Sequence, residues 1–103
     1  MSIISANRLI GSKKELQSVA YVISLSAPGS ITSFNISNPS NMVELDSYTS
    51  ANLNFSSGVA IDDSNQIAYV VSGSSRSITS IDISNPSNIV ELDSYTSANL
   101  NGT

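Results

Sequence analysis

Cysteine and histidine are both missing from this 103-residue chain, and each absence removes a branch of chemistry. Without cysteine there is no disulfide framework and no thiol nucleophile, and no redox compartment can be read. Without histidine the commonest acid–base group and metal ligand is gone. Basic residues are scarce: four Lys and Arg stand against eight Asp and Glu, for a net charge of −4. Binding to a phosphate backbone depends on clustered Lys and Arg, so nucleic acid is not an expected partner. Arg8, Lys13 and Lys14 gather near the N-terminus and read as a solvated strand or turn. No hydrophobic run approaches the roughly 20 residues that span a bilayer, so no membrane segment is expected. The opening Met1 to Arg8 lacks a basic segment followed by an apolar stretch, so neither is a signal peptide, and a soluble chain is expected. Charge is thin as well, at 12% of residues. Disorder would combine low hydrophobicity with high charge, whereas here β-branched and aromatic residues recur in bursts such as Ile67, Tyr69, Val70 and Val71.

What the chain does contain is itself, twice. Residues 30–54 read SITSFNISNPSNMVELDSYTSANLN and residues 77–101 read SITSIDISNPSNIVELDSYTSANLN, a shift of 47 from Ser30 to Ser77. Three positions differ: Phe34 against Ile81, Asn35 against Asp82, and Met42 against Ile89. Ala20-Tyr21-Val22 continues the match upstream to Ala68-Tyr69-Val70, with one extra residue in the loop from Ser24 to Ser30. Near-identity of this length records a duplication, and a period of roughly 20–50 residues marks stacked or ring-shaped repeat folds. The units divide the chain at residues 1–54 and 55–103.

Four strands are predicted in the second unit, over Gly58 to Asp62, Ile67 to Ser72, Ser77 to Ile83 and Ile89 to Tyr95. Asp62-Asp63-Ser64-Asn65, Gly73-Ser74-Ser75-Arg76 and Ser84-Asn85-Pro86-Ser87-Asn88 supply the turn residues between them. No segment keeps helical spacing over 11 residues, so the chain is all-β. The first unit's opening strand falls within Ser2 to Gly11. Ile81 and Ile83 alternate with Asp82, and Val90 and Leu92 with Glu91 and Asp93, which predicts apolar residues inward and acids toward solvent. The run from Ile67 to Val71 is apolar without a break and predicts a strand covered on both faces.

At these residues the chain resembles the LVIVD-repeat family, whose units carry a strand like LVIVDISNPSNP and then one like VLLGSYDT. Ile78-Thr79-Ser80-Ile81-Asp82-Ile83-Ser84-Asn85-Pro86 fills the first motif and Ile89-Val90-Glu91-Leu92-Asp93-Ser94-Tyr95 the second. Gly58-Val59-Ala60-Ile61 and Ile67-Ala68-Tyr69-Val70 are similar to that family's first two strands, and the first unit departs in having Asn35 where the motif has Asp. The resemblance implies a β-propeller and transfers no activity, since the family is mostly of unknown function. Its members normally carry enough repeats to close a ring in one chain, and this chain has two. The expected architecture is therefore two four-stranded antiparallel propeller blades per chain, closed into a ring by homo-oligomerisation, with a trimer favoured and a tetramer next.

The candidates for chemistry are few. Asp62-Asp63-Ser64-Asn65 groups oxygens of the kind Ca²⁺ prefers, but without ligand-loop spacing it reads as a turn, and no metal or cofactor is expected. Glu44 with Asp46, and Glu91 with Asp93, stand at i, i+2 and read as charge on one face that keeps an outer strand soluble. Asn35-Ile36-Ser37, Asn54-Phe55-Ser56 and Asn101-Gly102-Thr103 fit the glycosylation pattern, which a chain rich in Asn and Ser produces by chance. No Ser has a His or Lys partner at a telling spacing, so an enzyme is not expected. Tyr48 and Tyr95, near the ends of their strands, are the candidate ligand-binding residues, able to stack on a sugar ring. The expected function is that of a structural or interaction protein, a homo-oligomeric propeller scaffold presenting repeated surfaces to another macromolecule, a protein or a glycan. A carbohydrate-binding, lectin-like ring is the alternative.

Overall fold

A computed structural model describes the backbone of residues 3–10 and 15–100 and the side chains of residues 18–100. Lys13, Lys14 and the Asn101-Gly102-Thr103 match lie outside the described residues, as does the side chain of Arg8. Eight strands form two four-stranded antiparallel sheets. The first sheet runs β1 (Ile3–Ile10), β2 (Glu15–Ile23), β3 (Gly29–Asn35) and β4 (Val43–Ser50), and the second β5 (Ser56–Asp62), β6 (Ile67–Ser72), β7 (Ser77–Asp82) and β8 (Val90–Thr96). Spatial order follows chain order in both, so each is a meander of adjacent hairpins. β1 lies within the segment predicted for the first unit's opening strand. Among the described residues no helix is long and apolar enough to cross a membrane.

The turns form where short polar side chains satisfy the backbone. Asp82 accepts the Ser84 N–H at 2.8 Å, and Asn35, its counterpart, accepts the Ser37 N–H at 2.9 Å. The swap of amide for acid between the units is silent here because either oxygen closes the same turn. Asn38 and Asn85 repeat the device on Ser40 and Ser87, at 3.1 and 3.0 Å, beside the prolines that fix φ. Asp62 accepts from the Ser64 hydroxyl at 3.0 Å and from the Asn65 side-chain amide at 2.8 Å, and Gln66 completes that turn in the left-handed region at φ 57°. The acidic loop thus closes on itself as a turn, and among the described residues no acidic side chains group into a metal cluster.

These bonds favour the charged carboxylates. The Asn65 and Ser64 side chains hold Asp62 below its ordinary 3.8, and the Ser84 N–H and hydroxyl do the same for Asp82. A lowered folded-state pKa contributes stability that is present above the unfolded value and is lost as pH falls through the folded one. Melting temperature is therefore expected to drop as pH is taken below about 4. Asp82→Asn keeps the turn, as Asn35 does, and removes one titrating group. Its melting temperature should lie slightly below the parent's at pH 7 and fall less steeply in acid. Identical acid limbs for the two proteins would show that the Asp82 turn does not contribute.

The core lies between the two sheets. Val19, Tyr21, Ile23 and Ile31 of the first sheet meet Val59, Ala68, Val70 and Ile81 of the second, with Ile83 and Ile89 from the loop after β7 and Leu53 from the connection between sheets. Leu53 ends a 3-10 turn, Ala51–Leu53, which Ser50 caps by accepting the Asn52 N–H at 3.1 Å. β7 follows the predicted alternation, with Ser77, Thr79 and Ile81 buried.

Two alternation readings are corrected. Within one chain β6 is covered on one face only: Ala68 and Val70 are buried, but Tyr69 on the opposite face is exposed. In β8 the predicted inward residues Val90 and Leu92 are exposed, and Glu91 turns toward the first sheet. The cause is a β-bulge. Ser80 stands opposite Asp93 while its neighbour Ile81 stands opposite Glu91, which leaves Leu92 as the extra residue, and Leu45 is the extra residue in β4. One inserted residue reverses the phase of everything beyond it. Glu44 and Asp46, like Glu91 and Asp93, consequently occupy opposite faces of their strands, not the single solvent face read from i, i+2 spacing.

Candidate functional site

Polar bonds stitch the two sheets together around the apolar core. The Ser33 hydroxyl donates to the Pro86 carbonyl at 2.6 Å, and the Ile89 N–H donates to the Asp46 carboxylate at 2.7 Å. The Glu91 carboxylate accepts from the Tyr48 hydroxyl at 3.3 Å and from the Asn52 side-chain amide at 3.0 Å. Ser77 donates to the Asn52 carbonyl at 3.1 Å, and Ser72 to the Asn54 carbonyl. These connections use every tool available to a chain poor in charge: hydroxyls, amides, and two carboxylates whose partners are donors rather than cations. Burial pushes the Tyr48 phenol above its ordinary 10, and the charge of Glu91 adds to the rise.

Each sheet has a second face that, among the described residues, no other part of the chain covers. On the first sheet Ala20, Val22, Phe34, Ile36 and Met42 line an apolar hollow of about 410 Å³. On the second, Tyr69, Ile78, Ser80, Asp93 and Tyr95 line a shallow concavity of about 140 Å³. The two tyrosines singled out in the sequence are not brought together. Tyr48 stands half-buried between the sheets with its hydroxyl on Glu91, and Tyr95 is 67% exposed on the far face of the second sheet.

The family model of the LVIVD repeat matches residues 34–50 and 64–97. This is an LVIVD-repeat chain. The first match covers the end of β3 and all of β4, the second β6 to β8, and they end at Ser50 and Ser97, positions that are equivalent under the 47-residue shift. The end of the third strand with the fourth strand, which carries the bulged residue, is thus the part of the LVIVD unit common to both matches. No curated protein and no solved structure matches the chain.

Sequence reasoning singled out Tyr95 but missed Tyr69, its neighbour in the concavity, because Tyr69 sits inside an apolar run that reads as core. It also missed the joining roles of Asp46 and Glu91. Their recurrence 47 residues apart at Asp93 and Glu44 was visible, but the bulge that assigns each to a face leaves no compositional mark.

Proposed function

We propose that this LVIVD-repeat chain is a structural or interaction protein whose copies close into a β-propeller ring, each chain supplying two blades, and that the ring presents repeated surfaces to another macromolecule. The observation that carries this reading is the pair of uncovered faces. The two sheets stack face to face, yet among the described residues no third sheet lies against Phe34, Ile36 and Met42 on one outside or Tyr69, Ile78 and Tyr95 on the other. Apolar surface concentrated on two opposite faces, on a chain with so small a core, calls for neighbours on both sides. Identical chains satisfy that need most simply by cyclic closure. The blade number is then even, and propellers of typically four to eight blades leave two, three or four chains, of which three is the first expectation and four the next.

Native mass spectrometry at micromolar concentration is expected to report about three times the chain's 10.8 kDa. Four times that mass would change the blade count and keep the ring, whereas a stable, folded single chain would overturn it. A sugar-binding reading draws on one observation, the exposed Tyr95 beside Tyr69, Ser80 and Asp93. Ring closure would cover that face, so the readings compete for it. Glycan-array binding that disappears in Tyr95→Ala would favour the sugar.

A further inference from the structure

Equal sequence is unequally buried in the two units. Ile31 has no exposed surface, while Ile78, its counterpart 47 residues on, is 37% exposed. Ile89 is 4% exposed and Met42, its counterpart, 64%. Pro86 is buried and Pro39 exposed, and Leu53 is buried while Leu100 is only half so. Local sequence cannot cause these contrasts, because it is the same or nearly the same on both sides of each pair. Position causes them. One member of each pair has a sheet in front of it, and the other is at the end of the chain's two-sheet stack.

The two uncovered faces are moreover the two halves of an interface the chain already makes. Inside the chain, the first sheet contributes Ile31, Ser33, Asp46 and Tyr48. Shifted by 47, these are Ile78, Ser80, Asp93 and Tyr95, the lining of the far face of the second sheet. The second sheet contributes Ile81, Ile83, Ile89 and Glu91. Shifted back, these are Phe34, Ile36, Met42 and Glu44, and the first three line the outer hollow of the first sheet. Resting on the ring reading above, we infer that the seam between chains is a copy of the interface within each chain: the far face of β6 to β8 packs on the outer face of β2 to β4 in the next copy. Asp93 then accepts the Met42 N–H of that copy, Ser80 donates to its Pro39 carbonyl, and Tyr95 and Asn99 donate to its Glu44 carboxylate. The substitutions that separate the units respect this seam. Phe34 and Met42 stay apolar, and Met42 is asked only for its backbone N–H, which no side chain alters. A second copy is the occupant because each polar group on one face has its counterpart on the other, which an unrelated partner would not reproduce. The contact is head-to-tail: it joins two different faces, not one face to a second copy of itself.

The absence of cysteine allows a clean covalent test. Met42→Cys and Asp93→Cys placed in one chain, treated with a short thiol-to-thiol cross-linker and run under denaturing conditions, should give a ladder that stops at the native ring mass. Asp46→Cys with Ile89→Cys should cross-link within single chains, and either Met42→Cys or Asp93→Cys alone should stay at single-chain mass. A double variant that stays uncross-linked while its native mass is that of a closed oligomer would overturn the seam and leave the ring. Dimers from one lone cysteine would overturn it in favour of a symmetric contact. A single-chain native mass for the parent would instead sink the ring itself. Should the cysteines weaken assembly, Ile78→Arg and Phe34→Arg, each blocking one face, supply a second measurement. Each alone should fail to close, and the two together should give a one-to-one pair that grows no further. A mixture that stays as single chains, or either variant forming the ring unaided, would overturn the seam.

Discussion

Ile83→Asp is expected to abolish cooperative unfolding near neutral pH, whereas Ile36→Asp, the same change at the equivalent position, is expected to leave both sheets folded. Ile83 is buried between the sheets in the same apolar cluster as Ile81 and Ile89. A carboxylate placed there loses its water among apolar side chains, at a cost of several kcal/mol, against a total stability of about 5–15 kcal/mol for a whole domain. Ile36 is half-buried at the open hollow of the first sheet, where a carboxylate can still reach solvent. Its replacement should act on assembly instead. Far-UV circular dichroism melts separate the two: a sigmoidal transition kept in Ile36→Asp and lost in Ile83→Asp is the expected pair of curves. Equal melts would mean that the fold of the single chain depends on the outer face as much as on the face between its sheets.

The contrast between these two isoleucines also marks how far sequence reading reaches. Strands β5 to β8 begin and end within two residues of the positions predicted from alternation and turn chemistry, because Asp, Asn, Gly and Pro punctuate the chain wherever it reverses. The shared period of the two units was equally plain. Which face of a strand is covered was not, since alternation tells two faces apart without saying what lies against either. Tyr69 and Val71 read as core because they sit in an unbroken apolar run, yet among the described residues Tyr69 is left exposed and Val71 only half-buried. Leu45 and Leu92 defeated the reading for another reason. A bulge inserts a residue without a glycine or proline to announce it, so Glu91 was taken for a solubilising acid when it holds Tyr48 and Asn52. Of the candidate site, Tyr95 was legible as an aromatic at a strand end, and its setting was not.

Gly29→Ala is expected to be strongly destabilising although it adds a single methyl group. A Cβ built there would stand 1.8 Å from the Leu53 carbonyl oxygen and 2.3 Å from its carbon, both backbone atoms that cannot swing aside. The Gly29 N–H is also tied to the Asn54 side chain at 3.1 Å, so the approach of the two segments is fixed from both directions. To admit the methyl group, the 3-10 turn must pull away and take Leu53 out of the core. Overpacking alone costs about 1–3 kcal/mol, and the partial loss of a buried leucine adds on the order of another 2. Gly58→Ala supplies the comparison, because its Cβ would meet only a Val71 methyl, at 3.2 Å, which can give way. Urea unfolding should show a midpoint shift for Gly29→Ala several times that for Gly58→Ala. Similar midpoints would mean that the Leu53 turn moves freely and does not anchor the first sheet.

The bulge in each outer strand has a consequence for polarity. By turning Asp46 one way and Glu44 the other, Leu45 makes the front of the sheet chemically different from its back, and Leu92 does the same for the second. A unit built this way cannot be turned over and still fit its neighbour, so successive units must all point in the same sense. Their hairpin ends then collect on common sides. The Asn38-Pro39 and Asn85-Pro86 loops, which follow β3 and β7, lie together at one end of the stack. The short turns at Ala51–Leu53 and Ala98–Leu100, which follow β4 and β8, lie at the other. Any assembly that repeats this stacking is two-ended, with the Asn-Pro loops at one end and the Ser-Ala-Asn-Leu turns at the other, so that its two ends differ in chemistry.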